Sequence, residues 1–358
     1  MFIKSLKLIH FRNYEQLNID FFNGINILYG ENAQGKTNVL EALHICANGK
    51  SFRISSDYKT IMLGKDGAYL KVSFEDDGED GEIEVLTQKD KRKSIKINGI
   101  PAKSVKDLLG NLYVVVFSPE DIKTAREAPS LRRGLLDGEI SKIRPSYVDA
   151  LKQYSQVLSQ KNALLKKGKS IDIQKMLEVY NEQLGGYIKI ILKNRKAYVN
   201  QLNKFVKEVH YLISGKKEEI TLQYKETIPE EDIMGTLKKL AKKEMTDFNS
   251  VAGPHRDDIE IMIDNKEARV YASQGQLRTL MLAIKIACLK ILAESTGKTP
   301  VLLLDDVFSE LDDFRKKNLI SVLKEFQVFI TTAEQNQKKS TKNVHKYRVS
   351  DGKIEYEA

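Results

Sequence analysis

Cysteine is scarce in this chain of 358 residues: Cys46 and Cys288 are the only two. A disulfide framework is therefore excluded, and a reducing compartment, the cytoplasm, is the expected setting. Long apolar runs are missing as well. No early stretch is long or clean enough for a signal peptide. The greasiest segment, Leu280 to Leu292, is interrupted by Lys285 and Lys290, which is wrong for a membrane span. No internal repeat, low-complexity tract or long heptad series stands out. Charge is what the chain has in quantity: 30% of its residues are Asp, Glu, Lys or Arg.

Lys plus Arg number 58 against 49 Asp plus Glu, a net +9. Between Pro145 and Ser250 there are 19 basic and 13 acidic side chains, so six of the nine excess charges lie in that middle third. A polyanion such as nucleic acid and a plain solvated surface fit this balance equally. The clusters Lys89 to Lys93, Lys166 to Lys169, Lys193 to Lys196 and Lys238 to Lys243 read either way, and no single lysine is singled out as a DNA contact.

Periodicity sets an α/β class. IKSLKLIHF and LNIDF alternate apolar and polar residues, INILY is a compact apolar run, and NVLEALHICANG carries apolar residues at helical spacing. YLKVSF, EIEVLT and KSIKI, separated by charged turns, predict an antiparallel side sheet, and LYVVVF predicts a buried central strand. From Pro145 the texture becomes helical, in two helices joined by KKGKS. The second is expected to run about 35 residues, or about 50 Å, with a bend at Gly185-Gly186. Strand texture then returns: IEIMID and EARVY as a hairpin-like pair, a long helix, VLLLDD, another helix, and VFITT. The expectation is a head of residues 1–140 and 250–358, with 141–249 inserted as a helical lobe.

Gly30-Glu31-Asn32-Ala33-Gln34-Gly35-Lys36-Thr37 satisfies G-x-x-x-x-G-K-[ST], between a predicted strand and a predicted helix. Backbone N–H groups and the helix N-terminus suit phosphates, Lys36 reaches the β- and γ-phosphates, and Thr37 offers a hydroxyl to Mg²⁺. An apolar strand has little reason to end in two acids unless a cation waits there. Asp305 is accordingly the expected partner of Mg²⁺, and Asp306 the residue that orients the attacking water. Ser273-Gln274-Gly275-Gln276 opens a long helix, where Ser273 is by itself an ordinary cap.

The order of these segments, with Ser309-Glu310-Leu311-Asp312 downstream, resembles Walker A, signature, Walker B and D-loop of ATP-binding-cassette ATPases. Within that superfamily the chain is similar to the RecF family of bacterial recombination mediators, relatives of the SMC group. The similarity rests on LKLIHFRNY, GENAQGKTN, Ser118-Pro119-Glu120-Asp121, Pro129 with Arg132-Arg133 and Asp137, Gly253-Pro254-His255-Arg256-Asp257-Asp258, and LLLDDVFSELD. Glu127 and Leu135 depart from it, where a glycine and an aromatic are expected.

The resemblance implies an ABC-type head with a mixed central sheet and an antiparallel side sheet. It also implies ATP and Mg²⁺ as cofactors, and an ATP-dependent homodimer in which Ser273, Gln274, Gly275 and Gln276 meet the opposite chain's ATP. Ser309 and Asp312 would serve in the D-loop. Further implications are binding of duplex DNA near single-strand junctions, RecR as partner with RecO and RecA in function, and no membrane role. Asp306, one methylene shorter than the usual glutamate, and Thr331-Thr332 in place of a switch histidine imply slow hydrolysis. Arg12 and Asn13 lie in a loop that approaches nucleotide in similar ATPases, although Arg12 reads equally as a surface residue. His255 and Arg256 read as nucleotide or lobe contacts, or as a satisfied structural turn. The competing class is the nucleotide-binding subunit of an ABC transporter.

Overall fold

The computed structural model describes residues 1–167, 171–215, 218–333 and 343–357. The expected KKGKS joint and the Lys166 to Lys169 cluster lie partly outside the described residues. The chain begins with β1 (Phe2–Phe11), β2 (Tyr14–Asp20), β3 (Ile25–Tyr29), α1 (Lys36–Asn48), β4 (Gly67–Asp76), β5 (Glu79–Gln88), β6 (Ser94–Ile97) and β7 (Ile100–Pro101). There follow α2 (Val105–Leu108), β8 (Val114–Phe117), α3 (Ile122–Arg126), α4 (Pro129–Ile143), α5 (Pro145–Leu165), α6 (Ile171–Ser214), β9 (Ile220–Lys225) and α7 (Ile233–Asp247). The rest is β10 (Asp258–Ile263), β11 (Lys266–Glu267), α8 (Ala268–Tyr271), α9 (Gln274–Thr296), β12 (Val301–Leu304), α10 (Asp313–Val322), β13 (Val328–Thr332), β14 (Val344–Ser350) and β15 (Lys353–Glu357).

Two compact units result: Met1–Asp121 with Glu208–Lys216 and Arg278–Ala358, and Ile122–Lys207 with Lys217–Leu277. The second reaches beyond 141–249 on both sides. The reason is ionic: Arg132 of α4 forks onto Asp258 of β10 at 2.7 and 3.0 Å, and Arg195 of α6 forks onto Asp137 of α4 at 2.9 Å through each nitrogen.

In the first unit the central sheet has the order β15-β14-β3-β13-β12-β8, parallel throughout except for the β14–β15 hairpin. Its middle strands are apolar runs because both faces are covered, and Val301 to Leu304 are all fully buried. The side sheet, ordered β2-β1-β4-β5-β6-β7, is antiparallel. Its strands alternate, as in β4 with Ala68, Leu70, Val72 and Phe74 inward. One core joins this sheet, α1 and the central sheet. Lys285, which breaks the apolar run of α9, is buried against Asp121 at 2.8 Å.

The second unit holds α5, most of α6, α7 and the antiparallel sheet β11-β10-β9. Leu164, Leu165 and Leu177 form a small core with Ile173, Tyr180 and Met245 packed on it. Two local expectations differ from the structure. Helix α6 runs for 44 residues, longer than the expected run of about 35, and stays helical through Gly185-Gly186; that is about 66 Å at 1.5 Å per residue. In EARVY only Glu267 extends the hairpin, and Ala268–Tyr271 coil into a helical turn that buries Ala268. Among the described residues no helix is long and apolar enough to cross a membrane.

Candidate functional site

Register in the central sheet puts three strand ends side by side: β3 and β12 flank β13. The loop after β3 therefore faces the acids after β12, at the carboxyl edge where open α/β sheets bind ligands. Gly35, at φ 110°, starts α1 with no side-chain cap, so a side chain does not occupy the first N–H groups of the helix. That leaves them oriented as an anion seat. Ala33 is also left-handed, at φ 66°, and Glu31, Asn32 and Ala33 form an exposed crest.

Lys36 is buried, and its Nζ donates to the carbonyls of Gly30 at 2.7 Å and Glu31 at 2.6 Å. Burial lowers its pKa, opposed by the charges of Asp306 and Asp305. Thr37 Oγ1 donates to Asp305 Oδ1 at 2.7 Å, so the predicted hydroxyl and carboxylate meet across 268 residues of sequence. Burial raises the Asp305 pKa, while hydrogen bonds from Thr331 and Thr37 and the charge of Arg53 pull it down. Asp306 sits in the left-handed region at φ 47°; its N–H donates to Thr331 Oγ1 at 2.9 Å, and its carbonyl accepts from Ser309 Oγ at 3.0 Å.

The donor set fits ATP with Mg²⁺. A hydroxyl and a carboxylate are hard oxygen ligands, and Mg²⁺ takes one or two such groups plus substrate phosphates. No group of three or more His, Cys, Asp or Glu side chains that could hold a metal forms among the described residues, and this coordination does not require one.

The loop is braced from two sides. Asn13 Nδ2 donates to the Gln34 carbonyl at 2.9 Å and its Oδ1 accepts from Asn38 at 2.8 Å, while Gln34 Oε1 accepts from the Asp351 N–H at 2.6 Å. Arg12 forks onto Glu41 at 2.8 and 2.6 Å and donates to the Lys59 carbonyl at 3.0 Å. Its guanidinium is thus committed to the fully buried Glu41 of the loop's own helix. Arg53 bonds Asn38 at 2.9 Å, lies 3.5 Å from Glu41, and adds positive charge beside Asp305. Sequence reading gave no role to Asn38, although it closes the GENAQGKTN motif, and missed Arg53, which lies in no motif and returns to α1 only through the turn after it.

The predicted signature belongs to the second unit. Ser273 Oγ accepts from the Gln276 N–H at 3.2 Å and Gln276 Oε1 accepts from the Ser273 N–H at 2.9 Å, a reciprocal cap on α9. Gln276 also donates to Glu218 at 3.1 Å. Ser273, Gln274 and Gly275 are exposed, and a Cβ on Gly275 meets nothing within 4 Å among the described residues. Asp312 caps α10 through the Arg315 N–H at 2.8 Å.

The Gly253 to Asp258 turn is tied into its own unit. Tyr154 donates to His255 Nδ1 at 2.6 Å, Pro254 accepts from Arg195 at 2.7 Å, and Asp257 accepts from the Thr227 hydroxyl at 2.7 Å and from Tyr224 at 2.5 Å. Burial pushes the His255 pKa down to about 4, which keeps the ring neutral at pH 7. These contacts favour the structural reading of His255, whereas Arg256 is exposed.

A phosphate-binding loop facing an acidic strand end on this sheet, with an antiparallel side sheet, defines an ABC-type ATPase head of the SMC-like class. The profile described as RecF/RecN/SMC N terminal domain matches residues 2–355. Proteins named DNA replication and repair protein RecF are similar throughout: that of Clostridium perfringens (strain SM101 / Type A) is 42% identical, covering 99% of this chain and all of the relative. That of Clostridium acetobutylicum is 41% identical over 99% of each. A solved structure described as the recombination mediator protein RecF-ATP in the RecFOR pathway superposes with a TM-score of 0.89 at 36% identity, covering 100% of this chain and 98% of that one. An SMC head bound to a ScpA domain matches at TM-score 0.60 and 17% identity, a likeness of fold alone. The chain belongs to the RecF family.

Proposed function

We propose that this protein is an ATP-dependent, DNA-binding recombination mediator whose slow Mg²⁺-dependent ATPase times an assembled state. The observation that carries the reading is the 2.7 Å contact of Thr37 with Asp305 beside the buried Lys36. In the proposed roles the 30–37 loop and α1 N-terminus hold the phosphates, with Asn13 bracing that loop at Gln34 and Arg12 anchored on α1 through Glu41 beside it. Lys36 neutralises phosphate charge, Thr37 and Asp305 hold Mg²⁺, and Asp306 orients water. Bound Mg²⁺ supplies charge neutralisation at the transferring phosphate.

Two copies would close on two ATP molecules, each completed by Ser273, Gln274, Gly275 and Gln276 of the other chain, with Ser309 and Asp312 at the junction. Ser273, Gln274 and Gly275 are exposed, which leaves that turn accessible to a second chain's nucleotide and supports the role. The net charge of +9 supports an anionic partner, and the relatives' name, DNA replication and repair protein, favours DNA, in our reading duplex DNA near single-strand gaps. RecR is the proposed direct partner, RecO and RecA the functional ones, and the cytoplasm the location. Family membership over nearly the full chain leaves no observation in favour of a transporter subunit.

Sedimentation with and without ATP and duplex DNA tests this. ATP should drive pairing, and DNA binding should weaken steeply with salt through counterion release. Lys36→Arg should abolish pairing, and Ser273→Arg should spare single-chain ATP binding while blocking it. Pairing that survives Ser273→Arg removes the role across the interface.

A further inference from the structure

Both acids at the end of β12 hang on one hydroxyl of the neighbouring strand. Thr331, near the end of β13, is 1% exposed. Its Oγ1 donates to Asp305 Oδ1 at 2.7 Å and accepts the Asp306 N–H at 2.9 Å. A threonine hydroxyl has one proton to give and lone pairs to receive, so both bonds form together. The first fixes how the Asp305 carboxylate is aimed. The second fixes the backbone of Asp306, whose left-handed φ of 47° is sparsely populated for a residue with a side chain and persists only where its surroundings hold it.

Thr37 donates to the same Asp305 oxygen at 2.7 Å. A Thr37 hydroxyl turned to serve a cation no longer serves Asp305. Thr331 is then the threonine that continues to aim the carboxylate.

We propose that Thr331 is the positioning residue of the Mg²⁺–nucleotide site, setting the aim of Asp305 and the turn that carries Asp306. This rests on the reading that Asp305 takes Mg²⁺. Thr331 touches neither phosphate nor metal in this role; it acts through the two acids. Serine preserves the function because it preserves the hydroxyl. Valine, of nearly the same shape, abolishes it by removing both bonds.

The test is calorimetric binding of a non-hydrolysable ATP analogue to the full chain, with Mg²⁺ and with EDTA, for wild type, Thr331→Val and Thr331→Ser. In Thr331→Val the Mg²⁺-dependent gain in affinity should fall about 10- to 100-fold, the usual loss when a group orienting a metal ligand is removed. Its affinity in EDTA should stay within about twofold of wild type, because the phosphate loop is untouched. Thr331→Ser should recover most of the gain. If Thr331→Val fails to fold, Thr331→Cys, whose thiol is only a weak donor, takes its place with the same expected loss. A wild-type Mg²⁺ gain in the valine or cysteine variant overturns the proposal, as does an equal loss with and without Mg²⁺, the mark of a merely structural residue. Wild type that binds the analogue no better with Mg²⁺ than without overturns the underlying assignment of Asp305 instead.

Discussion

Gly30 opens the phosphate loop, where room for phosphate is the usual reason for a glycine, yet here protein is the nearer constraint. A Cβ at this position would sit 2.2 Å from the carbonyl oxygen of Val349, a backbone atom of β14, and φ is +149°. Relieving that contact to 3.0 Å needs a backbone shift of 0.8 Å (3.0 − 2.2). The unfavourable φ costs about 1–3 kcal/mol and the forced repacking about another 1–3 kcal/mol. Gly30→Ala should therefore lose about 2–6 kcal/mol of stability in the first unit. At about 2–4 °C per kcal/mol for a unit of this size, its melting midpoint should fall by roughly 4–24 °C. Scanning calorimetry is the assay, since two units need not unfold in one transition. Gly275→Ala is the control, because its Cβ meets nothing within 4 Å among the described residues. An unchanged midpoint in Gly30→Ala together with collapsed ATP affinity would mean that the phosphates, and not Val349, demand the glycine.

Two further predictions concern the second unit. Lys161 Nζ lies 2.7 Å from Glu244 Oε2, without hydrogen-bond geometry, and the side chains are 1% and 2% exposed. Glu244→Gln strands a buried ammonium and should cost about 3–5 kcal/mol in urea unfolding, much of it restored by the pair Lys161→Met with Glu244→Leu; a loss below about 1 kcal/mol contradicts this. His255, held at about pKa 4 by burial against an ordinary 6.5, is neutral in the folded state. The unfolded chain binds the proton first, so this contribution to stability is complete above pH 6.5 and is lost as pH falls toward 4. Between pH 7.5 and pH 5.5 His255 should cost about 1.4 kcal/mol, and His255→Gln should melt with that much less pH dependence.

The sequence was most legible where chemistry needs particular residue types close together along the chain. Gly30 to Thr37 is such a run, because a loop wrapping phosphate must be continuous, and Asp305-Asp306 is another. The central strands were legible because burial on both faces leaves apolar runs. The hairpin β14–β15 and strand β9 passed unnoticed. ITLQYK and KIEYE do alternate apolar and polar residues, but over only six and five residues, too short a run to stand out among the charged segments around them. Arg53 and the double bond of Thr331 were hidden for a different reason. Their meaning lies in register between segments far apart in sequence: Thr331 reaches Asp305 only because β13 lies beside β12.

Ser273 marks where legibility ends even with the fold in hand. The sequence offers a helix cap and a phosphate seat as rivals, but they belong to different scales. The cap is complete within one chain, since Ser273 and Gln276 satisfy each other's backbone N–H groups. That reciprocal pairing also fixes the turn so that Gly275 stands exposed, with no atom of its own chain requiring a glycine among the described residues. Room for a Cβ does not by itself call for a glycine, since Gly134 and Gly186 are equally open among the described residues. The cap and the proposed seat for an opposite nucleotide can therefore coexist on one turn, and it is the pairing of Ser273→Arg, not the geometry of the cap, that decides whether the second role is used.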